Sequence, residues 1–382
     1  MTGRSESLEE YGLDSEKVEL LLNRVQLEVD KGPLPGVQVA LARYGKVAVL
    51  ESYGTAKHDS LICIFSATKA IVSAATWLLI QDGKLAENED VENIIPEFGS
   101  HGKDQVTVQQ LLTHTAGFPH APFGPLQWQS KTETLSRFAQ WRLNWAPGSR
   151  VEYHPSSSMW VIAEIIERRS GLTYTDFIRT RMLDPLGLRD LFVGVPEAEN
   201  HRVLPIEHCG SPMTPEDSKK VGIASFPETE VTEQALLAFN RPDVRALGMP
   251  GAGGFSNAHD LALFYQALLH GGLGETKLWT ENTLMDARKI RTGSLSESMF
   301  NKAANRGLGI IVSGDENRTF RGFGDANSPR AFGHNGAGCQ LAWADPSTGI
   351  SLAYLTPGHD RNIAHQWQRS MDIGHLAAGC AR

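Results

Sequence analysis

Cysteine is scarce in this chain: Cys63, Cys209, Cys339 and Cys380 are the only four among 382 residues. They show no paired spacing, so neither a disulfide framework nor a zinc ribbon is available, and reduced thiols are expected. Long apolar runs are missing too. The longest, IVSAATWLLI, is too short and too interrupted to span a bilayer, and the polar start MTGRSESLEEYGLDSEKVEL lacks the apolar stretch of a secretory signal. The expectation is a cytoplasmic protein with no membrane partner. No basic excess exists either, since 36 Lys and Arg stand against 44 Asp and Glu. Without a dense basic run, a nucleic-acid partner is excluded. The histidines carry no metal-ligand spacing, GMPGAGGFS is glycine-rich without the spacing of a phosphate or dinucleotide loop, and no Gly-x-Ser-x-Gly elbow occurs. No metal or organic cofactor is therefore expected. What is present, 41% hydrophobic and 21% charged residues, is a globular composition long enough for two lobes.

Along the chain, Val18, Leu21, Leu22, Val25 and Val29 recur at helical spacing, predicting an amphipathic helix over residues 15–31 that stops at Gly32. GVQVALARYGKVAVLESYG follows as two β-rich runs around a tight Tyr44-Gly45 turn. The last part mirrors it. GLGIIVSG and CQLAWADPSTGISLAYLT read as strands, the latter a pair turning through Asp345, Pro346 and Gly349, and a closing helix is expected from about Asp360 to Ala378. Between them PSSSMWVIAEIIERRSG and SNAHDLALFYQALLHGG are helices with Ser or Asn caps and glycine exits. Strands at both ends with helices between predict an α+β fold: one antiparallel sheet built from both termini, with a mostly helical lobe inserted. The expected partition is 1–65 with 245–382 for the sheet lobe and 66–244 for the helical one. A site would lie in the cleft between them.

The chemistry begins at FSATKA. Ala70, Ile71, Ala74, Ala75, Leu78 and Leu79 continue a helical pattern to Asp82-Gly83, which puts Ser66 at the helix start and Lys69 on the same face, about 5–6 Å away at Cβ. Free backbone N–H groups and the positive end of the helix dipole would then lie beside Ser66, where an oxyanion could be stabilised. A lysine with a pKa of about 10.4 is rarely neutral near pH 7, so a role as base needs a second group to share the proton. The same pattern also arises by chance. Ser100 and Lys103 match it in EFGSHGKD, where flanking glycines argue against a helix and a shared face. A surface cap serine with a solvated lysine is the competing reading of Ser66 and Lys69.

Two companions favour the chemical reading. In APGSRVEYHPSSS, Tyr153 sits between a Pro-Gly turn and a helix start, where a phenol beside an ammonium can exchange a proton with it; a packed aromatic is the alternative. FGHNGAGCQLAW places His334 at the rim, leaves side chains out at Gly336 and Gly338 so that a ligand can approach the backbone, and offers the Ala337 N–H as a second oxyanion donor. Less specific are His114 in LLTHTAG, which reads as a structural histidine, and the aromatics Phe118, Phe123, Trp128, Trp141 and Trp145. These would either line an acyl or alcohol pocket or simply pack the core.

Together these elements resemble the serine β-lactamase and penicillin-binding-protein superfamily, most closely its class-C-like branch with the family VIII carboxylesterases. LLTHTAGF, PGSRVEY, IAEIIERRSGLTYTDFI, LDPLGL, GAGGFSNAHDLALF and FGHNGAG stand in that family's order, over roughly residues 15–380. The resemblance implies the β-lactamase/transpeptidase-like fold, Ser66 as the acylated nucleophile, Lys69 and Tyr153 as its proton partners, and the N–H groups of Ser66 and Ala337 as oxyanion donors. Two departures follow. Pro155 stands where the family's Tyr-x-Asn has its amide, and His334-Asn335-Gly336 replaces Lys-Thr-Gly, removing a permanent cation. Both weaken β-lactam or cell-wall peptide substrates and favour carboxylic esters, small molecules that need less help at the leaving group. The alternatives are an acyltransferase, an amidase or peptidase, or a weak β-lactamase on the same site. A further one is a ligand-binding or sensor protein that has kept the fold and lost turnover.

Overall fold

The computed structural model describes residues 8–124, 130–221, 231–297, 301–314 and 316–382. The hydrophobic alternation of the two ends produces one six-stranded antiparallel sheet, in the order Ile311–Val312, Phe332–Gly333, Leu341–Ala344, Ser351–Leu355, Gly36–Arg43, Lys46–Gly54. Strand Gly36–Arg43 thus lies inside the sheet, with Gln38 opposite Leu355 and Ala42 opposite Ser351. Its hairpin turns on Tyr44 and Gly45, both left-handed at φ 56° and 74°, the geometry whose twist matches a two-residue connection.

Period-two alternation sorts the sheet's faces by size. Val37, Val39, Leu41, Leu341, Trp343, Leu352 and Tyr354 point one way, into a cluster with Leu21, Leu22 and Val25 of the first helix, Ser15–Asp30, and Ile373 of the closing helix, Ile363–Ala378. Ala40, Ala42, Ala342, Ala344 and Ala353 point the other way. These small residues let helix Ala258–His270 lie close on the sheet, and the apolar core continues from there into the helical half of the molecule. Both terminal helices therefore cover the same face. The α+β arrangement expected from the sequence, one antiparallel sheet built from both ends of the chain with helices between, is the one observed.

Two elements differ from their sequence patterns. Pairing in GLGIIVSG is confined to Ile311–Val312, because Gly309 is left-handed at φ 76° and a Cβ there would sit 1.8 Å from Ser73 Oγ. The closing helix starts at Ile363 under an Asn362 cap, since Gly358–Asp360 is instead a short strand parallel to Glu207–Cys209. No helix among the described residues is long and apolar enough to cross a membrane. All four cysteines are free thiols.

One buried amide ties the two hairpins together. Gln266, fully buried on helix Ala258–His270, accepts from Gly45 N–H at 2.9 Å and donates to Ala42 O and Gly349 O, both at 3.0 Å, and to Ser351 Oγ at 2.9 Å. Gln266→Leu would strand these partners in a dry interior. The expected loss is about 2–4 kcal/mol of unfolding free energy, seen as a lower urea midpoint at unchanged slope. An unchanged midpoint would show that the network contributes nothing.

Candidate active site

The turn that carries Ser66 is clamped before the helix begins. Strand Ile62–Cys63 pairs with Gly254–Ser256, and Ile64 N–H donates to Gly254 O at 2.9 Å. Phe65 is then left-handed at φ 43°, an uncommon state for a bulky residue, held by its burial and an edge contact with Phe239. Ser66 lies in the single 3-10 turn Phe65–Ala67 that feeds helix Thr68–Gln81, half-buried, while Lys69 is completely buried. Thr68 fastens the turn, its hydroxyl donating to Phe65 O at 2.5 Å and accepting from Gly254 N–H at 2.8 Å.

Lys69 Nζ is 3.4 Å from Ser66 Oγ, 2.7 Å from Pro155 O and 2.8 Å from Gly251 O. Three acceptors match the three hydrogens of an ammonium. Tyr153 Oη is 2.8 Å from Ser66 Oγ, nearer than the lysine, and Lys69 Nζ lies 4.9 Å from the Tyr153 ring centroid. Ser66, Lys69 and Tyr153 are therefore assembled at one point. Pro155, where an amide side chain is missing, still contributes, because its backbone carbonyl holds the lysine.

Opposite them, Gly336 and Gln340 exchange both backbone hydrogen bonds, closing a turn over Ala337, Gly338 and Cys339, the last two left-handed at φ 75° and 74°. A Cβ at Gly336 would meet Ile64 O at 2.2 Å, and one at Gly338 would meet His359 at 3.3 Å. These glycines thus serve the protein's own close packing rather than the approach of a ligand. Gly336 thereby lets the turn bearing Ala337 press against the turn bearing Ser66. Among the described residues, neither the Ser66 nor the Ala337 backbone N–H has an acceptor.

His334 is not at a rim. It is buried, its Nδ1 pairs with Asn335 O at 2.9 Å, and its Nε2 has no partner among the described residues. Burial, with Lys69 and Arg306 nearby, holds its pKa well below the ordinary 6.5, so it is a neutral imidazole. His114 behaves likewise: buried, left-handed at φ 60°, held neutral by burial and then by Arg306, with Nδ1 accepting from His154 N–H at 3.2 Å. It holds the Tyr153 segment, as a structural histidine should.

The second Ser-x-x-Lys match is put to other use. Lys103 is buried but donates to the carbonyls of Ser100 and Trp141, not to the Ser100 hydroxyl, which bonds Ala139 O at 2.7 Å. Phe118, Phe123 and Trp141 pack with Phe98, Phe138 and Trp160 in the core, and half-buried Trp145 stands edge-on to His154. Trp128 lies outside the described residues. Among the described residues no cluster of three or more His, Cys, Asp or Glu could hold a metal. Cys63 and Cys339, beside the motifs, are buried thiols pushed up to about 12 and about 11 by desolvation.

Sequence reasoning missed the Pro155 and Gly251 carbonyls and the ion pair of Arg306 with Glu297, whose guanidinium carbon lies 5.6 Å from the Tyr153 ring centroid. The only prior signal was GMPGAGGFS, where a Cβ on Gly251 would meet Pro155 O at 3.0 Å.

Against known proteins, the family model described as Beta-lactamase matches residues 22–369. A curated relative from Salmonella agona (strain SL483), named "Putative D-alanyl-D-alanine carboxypeptidase", is 25% identical and covers 91% of this chain and 84% of its own. Among solved structures, a penicillin-binding protein homologue from Caulobacter crescentus superposes with a TM-score of 0.77 at 27% identity, covering 96% of this chain and 98% of that one. A family VIII carboxylesterase gives 0.75 at 24% identity, covering 96% and 99%, which speaks for the fold.

The buried histidines set a pH dependence. His154 is pushed down to about 3 and His359 to about 4, chiefly by burial, with His114 and His334 also well below 6.5. Above pH 6.5 both folded and unfolded chains carry them neutral. Below it the unfolded chain binds protons that the folded one refuses, so stability falls by about 1.4 kcal/mol per histidine per pH unit until each folded value is reached. The urea midpoint should fall steeply from pH 7 to pH 5. A flat midpoint over that range would contradict the neutral assignment.

Proposed function

The chain belongs to the Beta-lactamase family, as a serine hydrolase of that superfamily, and on that premise we propose that it cleaves carboxylic esters through an acyl-enzyme on Ser66. The observation that carries this reading is the convergence of Tyr153 Oη, at 2.8 Å, and Lys69 Nζ, at 3.4 Å, on one serine oxygen.

Ser66 Oγ attacks the ester carbonyl carbon while its proton passes to Tyr153, the nearer group, in its phenolate form. Lys69 keeps its place as an ammonium through Pro155 O and Gly251 O, orienting Oγ and favouring negative charge on the phenol. The carbonyl oxygen becomes an oxyanion facing the unpaired N–H groups of Ser66 and Ala337, beside the start of helix Thr68–Gln81. As the carbon–oxygen bond to the alcohol breaks, Tyr153 returns the proton to the departing oxygen. Water then attacks the acyl-enzyme, giving up a proton to Tyr153, which passes it to Ser66 Oγ as the bond to the acyl group breaks and the acid is released.

Ester rather than β-lactam or peptide substrates are favoured by what the site lacks. Pro155 offers no side-chain amide to hold a substrate amide, and His334 is a neutral ring where the family's lysine would be a cation. A second reading, amide or peptide cleavage on the same site, is motivated by the carboxypeptidase name of the Salmonella relative.

Steady-state hydrolysis of a short p-nitrophenyl ester and of a chromogenic cephalosporin separates the readings. Fast ester and little cephalosporin turnover is expected, and Ser66→Ala should reduce the former by more than about a thousandfold. A mutant retaining most activity would remove Ser66 from the mechanism. Tyr153→Phe should fold normally and acylate at least about a hundredfold more slowly in pre-steady-state burst measurements; an unchanged burst rate would assign the proton to Lys69 alone. Preferential turnover of a D-amino-acid peptide would favour the second reading.

A further inference from the structure

Four titratable or charged side chains surround the ring of Tyr153. His114 and His334 lie at centroid distances of 4.7 Å and 6.1 Å, Lys69 Nζ at 4.9 Å and Arg306 Cζ at 5.6 Å. Both histidines are neutral, so only Lys69 and Arg306 bring positive charge. The remaining nearby charges are engaged elsewhere. Glu152 turns to Arg150 and His120, at 2.7 Å and 3.1 Å, and Arg321 donates to the carbonyls of Glu316 and Asn317, at 2.9 Å and 3.2 Å.

Arg306 is held there deliberately by the fold. Its side chain is 9% exposed, and Nε and Nη2 both donate to Glu297 Oε1, the former at 3.0 Å. Its backbone is fixed on both sides, with N–H donating to Thr292 Oγ1 at 3.2 Å and O accepting from Arg291 N–H at 2.7 Å. Glu297 is in turn bridged to Val151, two residues before Tyr153. The ion pair and the tyrosine are thus parts of one local framework. A nearly buried guanidinium is costly to keep, and one carboxylate oxygen accounts for its location but not for its placement over a phenol.

We propose that Arg306 is a positioning residue for the reaction: fixed by Glu297 over the ring, it stabilises the negative charge that Tyr153 Oη must carry to take the Ser66 proton. Lys69 reaches this charge from the nucleophile helix and Arg306 from the 302–311 segment. Arg306 thereby restores to the cleft a permanent cation that the neutral His334 does not supply. This rests on the reading of Tyr153 as the proton acceptor given above.

The test is the pH profile of kcat/KM for p-nitrophenyl acetate, run on the full chain with thermal midpoints measured alongside. Arg306→Gln removes a cation, so the phenolate forms only at higher pH: the acid limb should move up by about one pH unit, with about a tenfold loss at pH 7 that recovers at high pH. Arg306→Lys should leave the limb near its wild-type position. Glu297→Gln leaves the guanidinium uncompensated, and its limb should move down. Opposite displacements from two partners of one ion pair are not what damage to the fold produces. Limbs unmoved in both Gln variants would overturn the proposal. Should Arg306→Gln fail to fold, the Glu297→Gln profile decides alone, a downward shift supporting it and none overturning it. A Tyr153→Phe enzyme that acylates at the wild-type rate would instead defeat the underlying reading of the site.

Discussion

The cleft depends on where one buried ammonium finds acceptors. Lys69 has no solvent exposure, and a charge so placed is tolerable only if each of its hydrogens meets an oxygen. Those oxygens come from three separate stretches of chain: Ser66 one helical turn away, Pro155 beside the tyrosine, and Gly251 in a loop that reaches over both. Moving any one of the three leaves a buried hydrogen unpaired. The lysine therefore registers the Ser66 turn, the Tyr153 loop and the loop of Gly251 against one another.

Backbone geometry completes what the lysine begins. Phe65, His114 and Cys339 are left-handed without being glycine, and each adjoins a part of the site: Ser66, the segment of Tyr153 and the turn bearing Ala337. Such conformations persist only where surrounding packing overdetermines them. At Gly336 the constraint is spatial instead, since only a residue without Cβ lets its backbone lie against Ile64 O. The turn bearing Ala337 is therefore placed against the turn bearing Ser66 by contact between two main chains rather than by a side chain.

Side-chain periodicity made much of the fold legible. The helices at 15–30, 157–170 and 258–270 and the two hairpins appear where apolar spacing and turn residues put them, and the closing helix at 363–378 starts three residues later than its pattern suggests. Ser66 and Lys69 were legible because a helix makes i and i+3 neighbours by local geometry alone. The illegible parts are those in which the chain uses its backbone or meets itself at long range. Peptide carbonyls at Pro155 and Gly251 look the same in any sequence, and Arg306 has no motif to announce that tertiary packing brings it to Tyr153. The burial of His334 was hidden similarly: its letters resemble a rim residue, and only the packing around it shows a dry, neutral ring. The glycines beside it suggest room for a ligand in the sequence, but Ile64 O takes that room at Gly336 and the His359 ring borders Gly338.

The sheet's strand order also dictates a sequence of events in synthesis. Strand Gly36–Arg43 has one neighbour in its own hairpin and the other at Ser351–Leu355, more than 300 residues later. At roughly 5–20 residues per second, the inward edge of that hairpin waits on the order of tens of seconds for its partner to leave the ribosome. Through that interval Val37, Val39 and Leu41 have neither their strand nor the closing helix to cover them. The nascent chain thus carries an open, apolar strand edge for most of its synthesis, an exposure set by the topology rather than by any single residue.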